Sequence, residues 1–509
     1  MTFRALTVRV GGVRSLDILS LMARTPTLTF DRGTLVLHPP PRGKAWVDYA
    51  TWDDRIEKFR IPALQYRGLV EALKGAGTEV NDKAKNFGVQ PFAKTGQREP
   101  LPHQAEALSA WIRAERRGTV ELPTGSGKTY LAQMAMRATP RDTLILVPTL
   151  VLMHQWYAEL KQNFAGVEVG LLGGGSSDRS PILIATYDSA AIHAESLGNR
   201  YGLLVFDECH HLPSGFYKSI AEYSLAPYRL GLTATLERSD DKHKALDALV
   251  GPLVYSKKPE QLAGGALAEH RIEQIRVELS ADERGRYDEL RAVRDRFLSE
   301  NNIYLGTLQG WQRFVMASAR SREGRAAMLA HREARALAFG TDAKLRVLRE
   351  LLVQHAADRL LVFTDDNATV YRVSKALLIP AITHQTKVKE RDETLQRFRR
   401  GEYARVITSK VLNEGIDVPE ANVAIVLSGT GSMREHVQRL GRILRKGEGK
   451  LALLYEVVAA DTSEEGTSRR RRGEDRPTKP QSTERPRPDS KPLFDAIAGD
   501  DAPLSFEDL

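Results

Sequence analysis

Residues 122–129 read Leu-Pro-Thr-Gly-Ser-Gly-Lys-Thr, and this stretch decides the fold predicted for the chain. A segment of good helix formers at 104–116 precedes it, followed by a short apolar approach. After it comes a helix pattern that places Leu131, Met134 and Ala135 on one face. A strand, a glycine-containing loop and a helix N-terminus, in this order, are the parts of a phosphate cradle. The stretch therefore predicts an α/β fold with a phosphate-binding loop.

The chemistry of this loop depends on a few of its residues. Gly125 and Gly127 allow the tight turn that points backbone N–H groups at phosphate oxygens. Lys128 would reach the β- and γ-phosphates, and the Thr129 hydroxyl would bind Mg²⁺. Leu122 stands where the strict motif has its first glycine, so a plain glycine turn before a helix is the alternative.

A second stretch supplies the acidic groups that nucleotide hydrolysis needs. Residues 203–206 form an apolar run suited to a buried strand, and Asp207 and Glu208 follow at its carboxyl end. Asp207 would hold Mg²⁺ through water, and Glu208 would take a proton from the attacking water. Acidic residues after a strand also cap helices, which is the simpler interpretation. Together with the phosphate loop, the pair predicts a site that hydrolyses a nucleoside triphosphate.

Length and composition limit the class of protein. The chain has 509 residues, enough for roughly three or four domains. Its net charge of +9 favours a polyanionic partner such as nucleic acid. The single cysteine, Cys209, excludes an intrachain disulfide and fits a reducing cytosol, so a cytoplasmic location is expected. No apolar stretch is long enough to span a membrane, and no membrane partner is expected.

The pattern of apolar segments divides the chain into five parts. We expect a small mixed domain at 1–95, an α/β unit at 96–255, a helical basic insert at 256–340, a second α/β unit at 341–460 and a disordered tail at 461–509. Candidate strands of the two α/β units lie at 143–147, 182–185, 203–206, 230–233, 360–363, 405–408 and 423–427.

Two surfaces have a functional and a structural interpretation. Trp46, Tyr49, Trp52 and Tyr66 in the first domain suit either base stacking or a small hydrophobic core. The arginines that crowd the insert at 256–340 suit either contacts with nucleic acid or a solvated helix face.

A further cluster of arginines lies in the second α/β unit. Gln438-Arg439-Leu440-Gly441-Arg442-Ile443-Leu444-Arg445 suits a helix, on which Arg442 and Arg445 share one face. Two guanidiniums without a nearby acid suit a phosphate that approaches from another domain, as an arginine finger does. An exposed basic helix is the alternative.

Taken together, these motifs resemble those of superfamily-two helicases, and among them the XPB-type DNA repair helicases. The resemblance covers roughly residues 98–457. It assigns 122–129 to motif I, Asp207-Glu208-Cys209-His210 to the D-E-x-H box, 408–417 to motif V and 438–445 to motif VI. It places motifs Ia, Ib and III at 147–149, 185–187 and 233–235. It implies nucleotide contacts at Gln104, Thr124, Gly125, Ser126, Gly127, Lys128, Thr129, Gly415 and Asp417. It implies catalytic roles for Lys128, Asp207, Glu208, Gln438, Arg442 and Arg445, with Thr129 and Asp207 as the Mg²⁺ ligands.

The resemblance also implies an architecture and a nucleic-acid path. Two RecA-like parallel-sheet lobes would close on ATP and Mg²⁺, with the basic insert as a helical thumb and the first domain as a damage-recognition domain. Nucleic-acid contacts are implied at Thr149, Thr186, Arg238, Asp240 and Thr408. The chain departs from the family after motif III, where it reads Arg238-Ser239-Asp240 in place of Arg-Glu-Asp, and this puts ordinary strand separation in doubt.

Three functions fit this pattern. The first is an ATP-dependent DNA helicase or translocase in DNA repair, acting on double-stranded or forked DNA. The second is an ATP-gated clamp or remodeller that recruits a nuclease, and the third is an RNA helicase. A nuclease or other repair partner would dock on the tail or on the N-terminal domain.

Overall fold

The computed structural model describes residues 25–92, 99–164, 166–236, 242–265, 267–305, 308–409, 421–429 and 451–472. Within them, three β-sheets and a group of long helices account for the architecture. No helix of these residues is both long and apolar enough to cross a membrane.

The N-terminal domain is a five-stranded sheet with strand order β3-β4-β2-β1-β5, covered by one helix. Gly33 has φ +83° in the turn between β1 and β2, as the hairpin pattern predicts. Trp46 and Tyr66 are buried, and the Trp46 ring lies 4.6 Å from that of Phe59, so these aromatic residues form a core. The elements are β1 (Thr27–Asp31), β2 (Thr34–His38), β3 (Thr51–Asp53), β4 (Lys58–Pro62), α1 (Tyr66–Gly75) and β5 (Asn81–Asp82).

The first lobe is an eight-stranded sheet with strand order β13-β6-β12-β11-β7-β10-β8-β9. All neighbouring strands are parallel except the short pair β8 and β9, so the carboxyl ends of the central strands meet at one edge. The elements before β11 are α2 (Pro102–Arg113), β6 (Arg117–Glu121), α3 (Lys128–Ala138), β7 (Thr143–Val147), α4 (Leu150–Asn163), β8 (Val169–Gly173), β9 (Ser176–Ser177), β10 (Ile182–Thr186), α5 (Tyr187–Ile192) and α6 (Ala194–Leu197). The rest are β11 (Leu203–Asp207), α7 (Lys218–Glu222), β12 (Tyr228–Thr233), α8 (Leu246–Leu249), β13 (Leu253–Ser256) and α9 (Pro259–Leu262).

The second lobe is a six-stranded parallel sheet with strand order β14-β19-β18-β15-β17-β16. The elements are β14 (Glu269–Val277), α13 (Asp342–Gln354), β15 (Leu360–Phe363), α14 (Asn367–Leu377), β16 (Ala381–Ile382), α15 (Val388–Arg399), β17 (Arg405–Thr408), β18 (Val423–Val426), β19 (Leu451–Ala459) and α16 (Ser463–Arg472). The predicted class, two parallel α/β lobes with a smaller mixed domain, is confirmed.

The helical insert is shorter than the range 256–340 predicted for it. Its helices are α10 (Ala281–Glu300), α11 (Leu308–Arg320) and α12 (Arg322–Gly340). The strand β14 lies inside the predicted range but pairs with β19 along its whole length. It is the edge strand of its sheet, and most of its side chains are polar, so its sequence carries little of the apolar signal of a buried strand.

The tail was predicted to begin at 461, and this boundary is wrong because 463–472 form the helix α16. Glu464 of this helix is buried, and its carboxylate contacts the Lys344 ammonium at 2.6 Å and 2.8 Å. Lys344 Nζ also donates to the Leu427 carbonyl at 2.6 Å. The charged composition of 461–472 suggests a solvated segment, but one of its charges is neutralised inside the lobe.

Candidate active site at the edge of the first sheet

The phosphate loop joins β6 to α3 in the predicted strand–loop–helix order. Gly125 and Gly127 have φ +87° and +84°, the left-handed region that their lack of a Cβ makes accessible. The Ser126 hydroxyl donates to the Pro123 carbonyl at 2.8 Å, which closes the turn. Lys128 Nζ donates to the Leu122 carbonyl at 3.1 Å, so its ammonium lies against the start of the loop.

Leu122, which replaces the first glycine of the strict motif, is fully buried in the hydrophobic core of the lobe. Its N–H donates to the Thr233 carbonyl at 2.9 Å, and this bond fixes the start of the loop to the end of β12. The loop therefore gains an apolar anchor at a position that does not line the phosphate cradle.

Two side chains of α2 contact backbone carbonyls of the phosphate loop. His103 Nε2 lies 2.9 Å from the Ser126 carbonyl, and Gln104 Nε2 donates to the Ser126 and Gly127 carbonyls at 3.1 Å and 3.3 Å. Gln104 Oε1 accepts from the Leu101 N–H at 2.9 Å. Because both ends of the amide bind protein and the side chain is buried, Gln104 stabilises the loop in this conformation. Adenine recognition by Gln104 stays a prediction, and the support from His103 was not predicted.

The acidic pair lies where β11 ends. Asp207 is buried, and its Oδ1 accepts from the Glu208 N–H at 3.1 Å while its Oδ2 accepts from Trp156 Nε1 at 2.9 Å. The backbone of Glu208 has φ +49°, which is uncommon for residues other than glycine. Such conformations cluster at functional sites. Burial and the neighbouring Glu208 carboxylate raise the pKa of Asp207 to about 6, while Lys128 and the Trp156 N–H oppose this rise.

A buried chain of contacts leads from Glu208 to motif III. Glu208 Oε2 lies 3.4 Å from His210 Nδ1, which lies 3.0 Å from Thr233 Oγ1. The Thr233 hydroxyl donates its only proton to the Thr235 carbonyl at 2.8 Å, so His210 Nδ1 must carry the proton in the bond to Thr233. That tautomer directs the Nδ1–H at Thr233, and the Glu208 carboxylate lies 3.4 Å from the same nitrogen.

The residues at this edge fit Mg²⁺ bound together with a nucleotide. Thr129 lies in the first turn of α3, at the phosphate loop, and a hydroxyl and one carboxylate are ligands that Mg²⁺ accepts alongside water and phosphate oxygens. Asp207 offers the carboxylate, and a divalent cation would favour its ionised form, which burial disfavours. Among the residues that the structure describes, no cluster of three or more acidic, His or Cys side chains could hold a metal by itself.

Two of the predicted nucleic-acid contacts lie at helix N-termini on the same edge. Thr149 caps α4 by accepting from the Leu152 N–H at 3.3 Å. Thr186 caps α5 by accepting from the Ser189 N–H, also at 3.3 Å.

Thr408 lies in the second lobe and is fully buried, with its hydroxyl donating to the Ser409 carbonyl at 3.1 Å. A direct contact between Thr408 and DNA is therefore not supported in this conformation. The remaining predicted residues lie outside the described residues: Arg238, Asp240, Gly415, Asp417, Gln438, Arg442 and Arg445.

Comparison with known proteins agrees with the motif assignment. The family model of the Xeroderma pigmentosum group B helicase damage recognition domain matches residues 28–84. That of the ERCC3/RAD25/XPB C-terminal helicase matches 327–473, and that of the type III restriction enzyme res subunit matches 97–238.

Named relatives span most of the chain. DNA 3'-5' translocase XPB2 of Sulfurisphaera tokodaii is 42% identical, over 83% of this chain and 95% of that protein. DNA 3'-5' helicase XPB of Mycobacterium tuberculosis is 29% identical, over 85% of this chain and 70% of that protein. An Arabidopsis thaliana relative, general transcription and DNA repair factor IIH helicase/translocase subunit XPB2, is 27% identical, and the match covers 48% of its length. The chain therefore belongs to the XPB family of DNA helicases and translocases.

Proposed function

We propose that this protein couples ATP hydrolysis at the edge of the first lobe to movement along DNA during repair. The observation that carries the proposal is the placement of Glu208. It follows the buried Asp207 at the carboxyl edge of the sheet that also carries the phosphate loop, and its carboxylate lies 3.4 Å from His210. A carboxylate at this position suits a general base for hydrolysis.

In this mechanism each residue has one task. The loop N–H groups and Lys128 bind the phosphates, and Asp207 with Thr129 would hold Mg²⁺, which supplies charge neutralisation on the phosphates. Glu208 orients the attacking water and takes its proton. His210, whose Nδ1 lies 3.0 Å from Thr233 Oγ1, packs beside the Glu208 side chain, with 3.4 Å between Nδ1 and Oε2.

DNA would lie against the N-terminus of α4, where Thr149 caps the helix, and would pass the start of α5, where the cap residue Thr186 is only 7% exposed. The N-terminus of the 14-residue helix α4 favours phosphate groups, because its free N–H groups and the helix dipole point outward. The relatives from Sulfurisphaera tokodaii and Mycobacterium tuberculosis carry 3'-5' in their names, and we extend that direction of movement to this chain.

The exposed arginines of the insert supply a second contact with the DNA backbone. Several insert arginines pair with protein, as when Arg294 contacts Asp295 at 2.5 Å and Arg335 contacts Asp365 at 2.5 Å. Arg313 and Arg320 instead line a surface cavity of about 330 Å³ with Ser321, and both are exposed. These two are better candidates for phosphate contacts than the paired arginines.

Ser239 favours movement on duplex DNA over strand separation. The family pattern has a glutamate at this position, which would repel phosphates at a fork, whereas serine is neutral and can hydrogen-bond a phosphate oxygen. Ser239→Glu should therefore raise the number of forked duplexes unwound per ATP consumed and leave DNA-stimulated ATP turnover nearly unchanged. Equal unwinding per ATP in the two proteins would refute this proposal.

The function is tested by ATP turnover with duplex DNA, single-stranded DNA and RNA as cofactors, together with displacement of a triplex-forming strand. We expect stimulation by duplex DNA and directional displacement, both abolished in Lys128→Ala. Stimulation without displacement would favour the ATP-gated clamp that recruits a nuclease, and stimulation by RNA alone would favour an RNA helicase.

A further inference from the structure

Asp207 is held by two aromatic side chains whose helices begin at the proposed DNA contacts. Trp156 donates Nε1–H to Asp207 Oδ2 at 2.9 Å, and Tyr187 donates its hydroxyl to the Asp207 backbone carbonyl at 2.9 Å. Both donors are only 2% exposed, so both bonds lie in the interior of the lobe. The side chain and the backbone of one residue are therefore fixed by two separate buried bonds.

The two donors come from different helices of the first lobe. Trp156 lies in the second turn of α4, which begins after the cap residue Thr149. Tyr187 is the first residue of α5 and directly follows the cap residue Thr186. A displacement of the N-terminus of α4 would therefore move Asp207 through Trp156, and a displacement of the N-terminus of α5 would move it through Tyr187.

The two bonds should act on different parts of the site. The indole N–H is a donor only, so it occupies one side of the carboxylate and leaves the remaining lone pairs of Asp207 for the magnesium site. The Tyr187 bond holds the backbone at the end of β11, directly before Glu208 adopts its φ of +49°. Loss of the first bond releases the carboxylate, and loss of the second releases the turn that aims Glu208.

We propose that Trp156 and Tyr187 are positioning residues that link the DNA-facing ends of α4 and α5 to the magnesium and water-activating groups of the ATP site. The proposal rests on the proposed function, because it takes the N-termini of these helices as the DNA contacts. Trp156 sets the orientation of Asp207 toward Mg²⁺, and Tyr187 sets the direction of Glu208.

The test compares Trp156→Phe and Tyr187→Phe with matched controls in the full chain. Trp111 is equally buried and donates Nε1–H to the Arg229 carbonyl at the same 2.9 Å, away from the acidic pair. Tyr201 is buried and donates to the Ser180 carbonyl at 3.3 Å. Trp111→Phe and Tyr201→Phe therefore report the cost of losing a buried ring N–H or a buried hydroxyl elsewhere in the lobe.

The first measurement is the affinity for a fluorescent non-hydrolysable ATP analogue, with Mg²⁺ and with EDTA. In Trp156→Phe we expect the gain in affinity that Mg²⁺ provides to fall by roughly 10-fold or more, the size seen when partners of metal ligands are removed, with the affinity in EDTA unchanged. Tyr187→Phe and both controls should keep the full gain. A gain in Trp156→Phe equal to that in Trp111→Phe would overturn the role of Trp156.

The second measurement is the stimulation of ATP turnover by duplex DNA. Both Trp156→Phe and Tyr187→Phe should lose most of it while the controls keep it. In Tyr187→Phe the loss should lie in kcat and not in the affinity for the nucleotide. If Trp156→Phe fails to fold, Tyr187→Phe, which removes only one oxygen atom, decides this measurement. Stimulation of Tyr187→Phe by DNA equal to that of Tyr201→Phe would overturn the link.

Failure of the proposed function is recognised separately. A wild-type protein that no DNA stimulates would refute the proposed function and the link to DNA together. The magnesium measurement would still decide whether Trp156 orients Asp207, because it requires neither DNA nor hydrolysis.

Discussion

Replacing Glu464 by Gln should destabilise the second lobe strongly, although the residue lies in a segment of charged composition. Lys344 and Glu464 side chains are each 2% exposed, and the carboxylate contacts the ammonium through both oxygens. Glu464→Gln keeps the shape of the side chain but removes the negative charge. The Lys344 ammonium then stays buried without its counter-charge.

The size of the effect follows from this burial. Breaking a buried ion pair by changing one partner costs about 3–5 kcal/mol, because the remaining charge is neither hydrated nor neutralised. For a domain of roughly 150–250 residues each kcal/mol lowers the melting temperature by about 2–4 °C, which gives a decrease of about 6–20 °C. The neighbouring residue provides the control, since Glu465 contacts Arg276 at 2.6 Å but their side chains are 29% and 59% exposed. Glu465→Gln should cost no more than about 1 kcal/mol.

Differential scanning calorimetry of the full chain measures both variants, with the transition of the second lobe as the readout. The pair Lys344→Met with Glu464→Leu should recover part of the loss, because an apolar pair of similar volume can replace a buried ion pair. The recovery should be incomplete, because the Ala459 N–H loses Glu464 as its acceptor and the Leu427 carbonyl loses Lys344 as its donor. Equal melting temperatures for Glu464→Gln and Glu465→Gln would refute the reasoning.

Three further predictions concern catalysis and DNA. Glu208→Gln should bind Mg-ATP normally but hydrolyse it about 10²–10⁴-fold more slowly, as loss of a general base implies, and loss of nucleotide binding in an equilibrium assay would contradict this role. Arg442→Ala should cut turnover by up to about 10³–10⁵-fold at unchanged nucleotide affinity if the residue is an arginine finger, whereas a defect confined to DNA binding would place it on the nucleic acid. Arg313→Ala with Arg320→Ala should flatten the dependence of log K on log salt by roughly 0.9 per lost phosphate contact on duplex DNA, while Arg286→Ala, whose guanidinium contacts Glu333 at 3.1 Å, should leave the slope unchanged.

The parts of the fold that could be predicted from the sequence are those encoded by local patterns. The strands Thr143–Val147 and Leu360–Phe363 were predicted residue for residue, since each is an apolar run buried on both faces of a parallel sheet. The phosphate loop and Asp207-Glu208 could be predicted for a similar reason, because their spacing relative to a strand carries the chemistry. Both stretches lie at the same sheet edge in the structure.

The parts that could not be predicted depend on partners far apart in the sequence. Trp156 and Asp207 are 51 residues apart, and Lys344 and Glu464 are 120 residues apart. A buried Trp in an amphipathic helix is usually a core residue, and nothing in its neighbourhood indicates that its N–H reaches a carboxylate. A strand rich in polar residues, such as β14, cannot be identified from its own sequence, because only its pairing with β19 shows that it is a strand.

The acidic pair is therefore fixed from two sides, and this arrangement bears on how ATP and DNA influence each other. On one side Thr233 binds His210 through its hydroxyl and Leu122, at the phosphate loop, through its carbonyl. On the other side Trp156 and Tyr187 bind Asp207 from the helices proposed to face DNA. Buried hydrogen bonds are costly to leave unmade. If Thr233, Trp156 or Tyr187 shifts, either Asp207 and Glu208 move with it or each broken bond destabilises the structure by about 1–3 kcal/mol. Binding of one ligand should for this reason change the affinity for the other, and by thermodynamic linkage the two effects must be equal in size. A nucleotide analogue that tightens DNA binding in the wild type, but not in Tyr187→Phe, would show that the coupling runs through this side of the pair.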